Sequence, residues 1–403
     1  MRRRNFLAIV GGATALPLIG RTETQTDALD RVLRGAVERK EVTGVSALVV
    51  DRTRVLYEGM HGTAGFADGR PIAADTLFYI ASMTKPVTSL AAMQLIEQGR
   101  FTLDDPVEKY RPEFAGLQVF DSFDSATGDY KLRPAARPVT VRHLFTHTSG
   151  LGYAFTSATV RDFKPRAGET YPVGPLLFDP GERWHYGTSV DELGRLVEKI
   201  SGQSLEAYFR QHIFDPLRMP DTFYFVPPEK QARVIDVGHR QADGSISKDA
   251  AQPPMAGFTP IGGGGLRSTT RDYGRFMRML LNGGELDGVR VLSAENVALM
   301  GRNQIGTVGV RALKTAQPER SADFTFIADG RDKWGLGFLI TADAVPGKRS
   351  AGSLSWGGID NTYFWVDPTR GVAGVVMMQF LPFADPTALA VYDGFERGVY
   401  KLV

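Results

Sequence analysis

The order of apolar patterns along the chain predicts an α+β fold: an antiparallel sheet built from both chain ends and flanked by helices, with a mostly helical domain inserted between them. Three observations carry this expectation. A helix and two apolar strands stand near the start. Strand signals fade from about 105 to 250. Short aromatic-rich strands and a last helix then follow. The 403 residues, 43% apolar and 23% charged, suffice to bury about three quarters of the unfolded surface in a real core. Such a composition excludes a collagen-like repeat and a disordered tail protein. The complete lack of Cys excludes disulfides, a Cys nucleophile and thiolate metal sites.

Residues 1–22 read as an export signal. Arg2-Arg3-Arg4 precedes the apolar stretch from Phe6 to Gly20, and the first acid is Glu23. That stretch is too short and too rich in Gly and Ala for a spanning helix. The order Arg3-Arg4-x-Phe6-Leu7 is twin-arginine-like. The expected location is therefore exported, periplasmic or secreted, with no stable membrane span in the mature chain.

The sheet domain is expected from 23–104 and 251–403, and the helical insertion from 105–250. Leu29, Val32, Leu33, Ala36 and Val37 recur at helical spacing. Gly44 to Val50 and Arg54 to Gly59 read as paired strands across a polar turn. Thr76 to Ile80 leads into a helix from about Ser82 to Gln98, ended by Gly99. Within the insertion, Thr140 caps a short helix through Leu144. A second helix spans Val190 to Ile200 and stops at Ser201-Gly202, and a third starts at Ser204. Late strands are expected at Trp334 to Thr341, Gly352 to Gly357, Asn361 to Val366 and Gly371 to Phe380. A last helix runs from Pro386 to Tyr400.

Forty-seven Lys and Arg balance 45 Asp and Glu. No basic stripe exists to neutralise phosphates, so nucleic acid is not an expected partner. His143 and His147 have helical i, i+4 spacing, but a zinc hydrolase pattern needs Glu at 144, where Leu stands. The expectation is packed or capping histidines and no metal. Gly262 to Gly265 lacks the ending of a phosphate loop; a turn or a close backbone approach is expected. No Ser sits in the G-x-S-x-G elbow.

Two Ser-x-x-Lys pairs remain. Ser245 and Lys248 lie in a polar stretch and read as a solvated loop. Ser82 and Lys85 open a long apolar helix, where three residues of spacing place the Lys amine beside the Ser oxygen. A helix start also offers free N–H groups for a developing oxyanion. A Ser hydroxyl needs a base, and a Lys amine serves when desolvation or neighbouring charge favours its neutral form. An N-capping Ser with a snorkelling Lys would leave the same four residues.

Further pieces extend the pattern. They are His143-Leu-Phe-Thr-His-Thr-Ser-Gly-Leu151, Pro180-Gly181 leading to Tyr186-Gly-Thr188, Gly263-Gly-Gly-Leu266 through Asp272, and Trp356-Gly357-Gly358. Together with Ser82-Met-Thr-Lys85 they resemble the serine β-lactamase and penicillin-binding-protein superfamily. Within it the chain resembles the class C-like branch, and there the family VIII carboxylesterases.

The resemblance implies an acyl-enzyme on Ser82. Lys85 and Tyr186 would share the proton transfers. The backbone N–H groups of Ser82 and Ile359 would form the oxyanion hole, and no cofactor would be needed. Trp356, Gly357, Gly358 and Thr188 would line the substrate. β-Lactamases of this branch carry Lys where Trp356 stands, and usually Asn where Thr188 stands. An indole offers an apolar face and one N–H instead of a cation for a carboxylate. The implied activity is a carboxylesterase acting on small uncharged ester or acyl substrates. An acyltransferase on the same machinery and a β-lactamase or D-peptidase are the alternatives, and a non-catalytic scaffold is the reading from another class.

Overall fold

In the computed structural model, which describes residues 25–325 and 329–403, the sheet draws on both chain ends. The expected export signal lies outside the described residues. Helix α1 (Gln25–Glu38) precedes the pair β1 (Gly44–Asp51) and β2 (Val55–Gly62). Short β3 (Phe78–Tyr79) then leads to α2 (Thr84–Glu97). The middle of the chain carries β4 (Gln118–Phe123), β5 (Tyr130–Pro134), α3 (Val141–Thr146), α4 (Ala158–Asp162), α5 (Ser189–Ser201) and α6 (Leu205–Phe209). After β6 (Gly238–Arg240), β7 (Ile246–Lys248) and β8 (Arg267–Ser268) comes α7 (Thr270–Leu281). Next are β9 (Glu285–Leu286), β10 (Val289–Arg290) and α8 (Ala294–Met300). Strands β11 (Lys333–Trp334), β12 (Leu339–Ile340), β13 (Leu354–Gly358), β14 (Thr362–Asp367), β15 (Val372–Met377) and β16 (Phe380–Leu381) lead to α9 (Pro386–Leu402).

Seven strands form one antiparallel sheet in the order β11-β12-β13-β14-β15-β1-β2. Both faces are covered, which is why its central strands read as unbroken apolar runs. Strand alternation divides them. Val45, Ala47, Val49, Tyr363, Trp365 and Val376 face α1 and α9, where Leu29, Leu33, Phe395 and Val399 pack. Leu48, Val50, Phe364, Val366 and Val375 face the larger core with Tyr273 and Phe276 of α7 and much of α2. Helix α2 is buried around its whole circumference from Thr84 to Leu95, as a central helix is, and of its polar side chains Lys85, Thr88 and Gln94 find partners inside. No helix among the described residues is long and apolar enough to cross a membrane.

Several expectations shift. The middle of the chain holds the hairpin β4–β5, paired from Gln118↔Pro134 to Phe123↔Tyr130. Its charged residues Asp121, Lys131 and Arg133 hid the strand pattern. The expected strand from Trp334 to Thr341 is instead a hairpin, because Gly337 turns at φ +99. The run from Gly371 to Phe380 splits: β15 stays in the main sheet, and β16 pairs in parallel with β6. Helix α7 had not been expected, although Thr269 caps it by accepting from Asp272 N.

Candidate active site

Ser82 does not begin α2. It sits in a short 3₁₀ turn, Ala81–Met83, and α2 starts at Thr84. The reason is Ala81, whose φ of +43 turns the chain sharply as it leaves β3. A left-handed conformation costs a residue with a Cβ about 1–2 kcal/mol, and strain of this kind gathers at functional sites. The turn is fixed from both sides: Ile80 N donates to Leu266 O at 3.0 Å, and Met83 N to Ile80 O at 2.9 Å.

Lys85, on the first turn of α2, is wholly buried. Its Nζ donates to Ser82 Oγ at 3.0 Å and to Gly263 O at 2.7 Å. It also lies 4.7 Å from the Tyr186 ring centroid and 5.3 Å from that of Tyr153. Tyr186 Oη donates to Ser82 Oγ at 2.7 Å. Ser82, Lys85 and Tyr186 thus converge on one oxygen, from elements about a hundred residues apart.

Tyr186 is held by its surroundings. Thr156 Oγ1 donates to its carbonyl at 2.9 Å. The ring is packed by His147, Trp356 and Tyr153 at 4.8, 4.9 and 5.3 Å between centroids. A Cβ at Gly187 would lie 2.1 Å from Leu151 O, so only Gly lets the chain pass there. His147 is the left-handed C-cap of α3, off the helical face that His143 occupies. Burial, with the Lys85 ammonium adding to it, holds the His147 imidazole well below its usual pKa. It packs against Tyr186 as a neutral ring.

Trp356 is turned inward. It is 2% exposed, its Nε1 donates to Tyr186 Oη at 3.4 Å, and its ring meets Trp334 edge-on at 4.5 Å. The apolar substrate wall expected of this residue is therefore a wall behind Tyr186. Gly357 and Gly358 end β13, which packs against the turn bearing Ser82. A Cβ on Gly358 would lie 2.4 Å from Ile80 O, and Ile359 follows in the hairpin turn to β14. Thr188 is the N-cap position of α5 without capping through its side chain. It lines a cleft of about 370 Å³ with Leu151 and Ile261.

The second Ser-x-x-Lys pair comes apart. Ser245 Oγ donates to Asp243, and Lys248 pairs with Asp236 at 2.8 Å. The glycine run is a close backbone approach: Thr88 Oγ1 donates to Gly262 O at 2.7 Å, beside the Gly263 carbonyl that receives Lys85. Sequence reasoning missed Asp191 and Tyr153. Asp191 is a buried acid on α5 whose Oδ1 accepts from Gly263 N at 2.7 Å. Its position five residues after Tyr186, in the first turn of α5, was the available signal.

A serine–amine–phenol cluster, its amine and phenol buried, beside a large antiparallel sheet defines a class: serine hydrolases and acyltransferases of β-lactamase fold. The chain belongs to the β-lactamase family, whose profile matches residues 29–394. It is 34% identical over 349 residues to the acyltransferase CalJ of Penicillium decumbens, covering 81% of each chain. It is 29% identical over 398 residues to a lovastatin esterase of Penicillium rubens, covering 93% of this chain and 98% of the other. A simvastatin synthase (LovD) mutant from Aspergillus terreus shares the fold with a TM-score of 0.80 at 28% identity, over 94% of this chain and 97% of that one.

Proposed function

We propose that the protein is a serine carboxylesterase that forms an acyl-enzyme on Ser82 from small uncharged esters. The observation that carries this reading is the convergence of Lys85 Nζ and Tyr186 Oη on Ser82 Oγ. In the acylation step the Lys85–Tyr186 pair, holding one proton fewer than an ammonium plus a phenol, takes the proton of Ser82 Oγ as that oxygen attacks the ester carbonyl. The backbone N–H groups of Ser82 and Ile359 receive the oxyanion. The C–O bond to the leaving alcohol then breaks, and that alcohol takes the proton from the pair. Water, deprotonated by the same pair, attacks the acyl carbon and releases the acid, and Ser82 recovers its proton.

The preference for uncharged esters is supported by what position 356 lacks: its indole is turned inward behind Tyr186, and no ammonium reaches a substrate from it. A charge-assisted contact to a substrate carboxylate is worth roughly 1.5–3 kcal/mol, and this site has no Lys there to make it. Transfer to an alcohol is the second reading, favoured by the acyltransferase name of the relative at 34% identity. Export through a twin-arginine route belongs to the same proposal and is supported by Arg3-Arg4-x-Phe6-Leu7.

The test is hydrolysis of p-nitrophenyl butyrate and a cephalosporin, with and without excess alcohol. Hydrolysis of the ester far above the cephalosporin is expected. Ser82→Ala should remove it while Ser245→Ala keeps it. Ester formation that outruns hydrolysis when alcohol is added would favour the transferase. Substantial turnover in Ser82→Ala would reject the acyl-serine route.

A further inference from the structure

We propose that Asp191 is a positioning residue that anchors Gly263 through its N–H so that the carbonyl of the same residue holds the Lys85 amine beside Ser82. The role rests on the reading of Ser82, Lys85 and Tyr186 given above and adds a fourth, buried partner to it.

The geometry forms a continuous chain. Asp191 Oδ1 accepts from Gly263 N at 2.7 Å, and on the other side of that residue Gly263 O accepts from Lys85 Nζ at 2.7 Å. The second carboxylate oxygen, Oδ2, accepts from Tyr153 Oη at 3.3 Å, and the Tyr153 ring lies against the Lys85 amine. Thr88, one turn beyond Lys85 on α2, donates to the preceding carbonyl of Gly262. Two successive peptide units are thus fixed from α2 and α5 together.

The sequence leaves space for this arrangement and no more. A Cβ on Gly263 would lie 2.2 Å from Asp191 Oδ1. A Cβ on Gly262 would lie 2.2 Å from Val190 O, and one on Gly194 2.7 Å from Gly262 Cα. The glycines at 194, 262 and 263 bring α5 close enough for its acid to reach the loop. A carboxylate 7% exposed is costly to bury. Burial pushes the Asp191 carboxyl up, while Lys85 and the Gly263 N–H pull it back toward the charged form. Its bonds to the loop and to Tyr153, and its nearness to the Lys85 ammonium, offset that cost.

A lysine that takes and returns a proton must return to one place. With three rotatable N–H donors and a flexible stem, Lys85 needs a fixed second acceptor besides Ser82 Oγ. The Gly263 carbonyl supplies it, and a peptide free to rotate would not. A misplacement of about 1 Å near reacting groups can cost about 100-fold in rate.

The experiment is a double-mutant cycle on the full chain. Asp191→Ala, Lys85→Ala and the double variant are assayed with p-nitrophenyl butyrate, with active sites counted by a phosphonate that labels Ser82. Asp191→Ala is expected to lower kcat per labelled site about 10–100-fold with KM changed less than about threefold, and Asp191→Asn, which keeps an acceptor for Gly263 N–H, to recover most of it. In the Lys85→Ala background the same substitution should cost nothing further. Should Asp191→Ala not fold, Asp191→Ser, whose hydroxyl is too short to reach Gly263 N–H, goes through the same cycle. Equal losses with and without Lys85, or wild-type kcat in Asp191→Ala, would overturn the role while leaving the acyl-serine reading intact. A wild-type protein that neither labels at Ser82 nor turns over ester would overturn that reading and the Asp191 role with it.

Discussion

Ser82 Oγ lies 2.7 Å from a phenol and 3.0 Å from an amine, and under the proposed mechanism that pairing makes the two groups one unit. Each lies within reach of the same proton, and the Lys85 amine also sits over the Tyr186 ring. Lys85→Ala and Tyr186→Phe should each lower kcat about 10²–10⁴-fold, the scale of general acid–base catalysis. The double variant should lose far less than the product of the two, since groups that act together are not additive. Steady-state kinetics on all three decides this, and fully multiplicative losses would mean separate roles. Trp356 belongs to the same cluster from behind. Trp356→Phe keeps a ring against Tyr186 and loses one N–H at 3.4 Å, so kcat should fall less than about 10-fold with the ester-to-cephalosporin ratio unchanged. Trp356→Lys would put an ammonium among Trp184, Tyr186 and Trp334. An unpaired buried charge costs about 3–5 kcal/mol, to be seen as a lower melting temperature.

Helix α5 carries Asp191 and follows directly from Tyr186, so its distance from the glycine run sets the site. Gly194→Ala separates two opposing effects. Ala is favoured over Gly inside a helix by about 1 kcal/mol, but here its methyl would meet the Gly262 backbone at 2.7 Å. The closest atoms, Gly262 Cα and N, are backbone and cannot yield as a side-chain tip can; Leu205 Cδ1 follows at 3.1 Å. The variant should melt lower and turn over ester more slowly; a higher melting temperature with full activity would show that α5 can move away freely. At this scale the sequence is read well where an element's own residues determine it. Thr140 caps α3 and α6 starts at Ser204 as expected, and Gly202 ends α5 in a left-handed turn. It is read poorly where partners decide. Hairpin β4–β5 is polar on its open side, and the 3₁₀ turn at Ser82 depends on Leu266 O and a strained Ala81. Ser82, Lys85 and Tyr186, which the structure brings together, were legible as a group because motif order names them. Asp191 was not, because its meaning lies in a contact 72 residues away.

Across the whole molecule, the hairpin bearing Ile359 is tied to the nucleophile strand through one buried patch. Asp360 O accepts from Phe380 N at 3.2 Å, and Gln379 Oε1 accepts from Tyr79 N at 2.9 Å. The β13–β14 turn, the link from β15 to β16 and β3 therefore meet at Asp360, whose side chain is 3% exposed and whose Oδ2 has no hydrogen-bond partner among the described residues. Burial pushes this carboxyl up to about 7, with Asp249 adding to the rise and Arg320, Arg267 and Gln379 opposing it. In the unfolded chain an Asp titrates near 3.9. From about pH 4 to about pH 7 the folded chain thus keeps a proton that the unfolded chain has released, so stability falls as pH rises through that window. Asp272, pushed up to about 6 mainly by burial, acts in the same direction. Asn has the shape of the protonated acid and does not ionise. Asp360→Asn should therefore match the wild type in denaturant unfolding near pH 4, gain on it steadily up to about pH 7, and keep a constant lead above that. The slope left in the variant between pH 4 and 6 sums Asp272 with groups of opposite sign, among them His143 and His185, which burial holds down to about 4. Unfolding midpoints at pH 4, 5, 6, 7 and 8 measure the difference. Two curves that run parallel would mean that Asp360 is charged in the folded chain throughout, with Arg320 and Arg267 outweighing its burial.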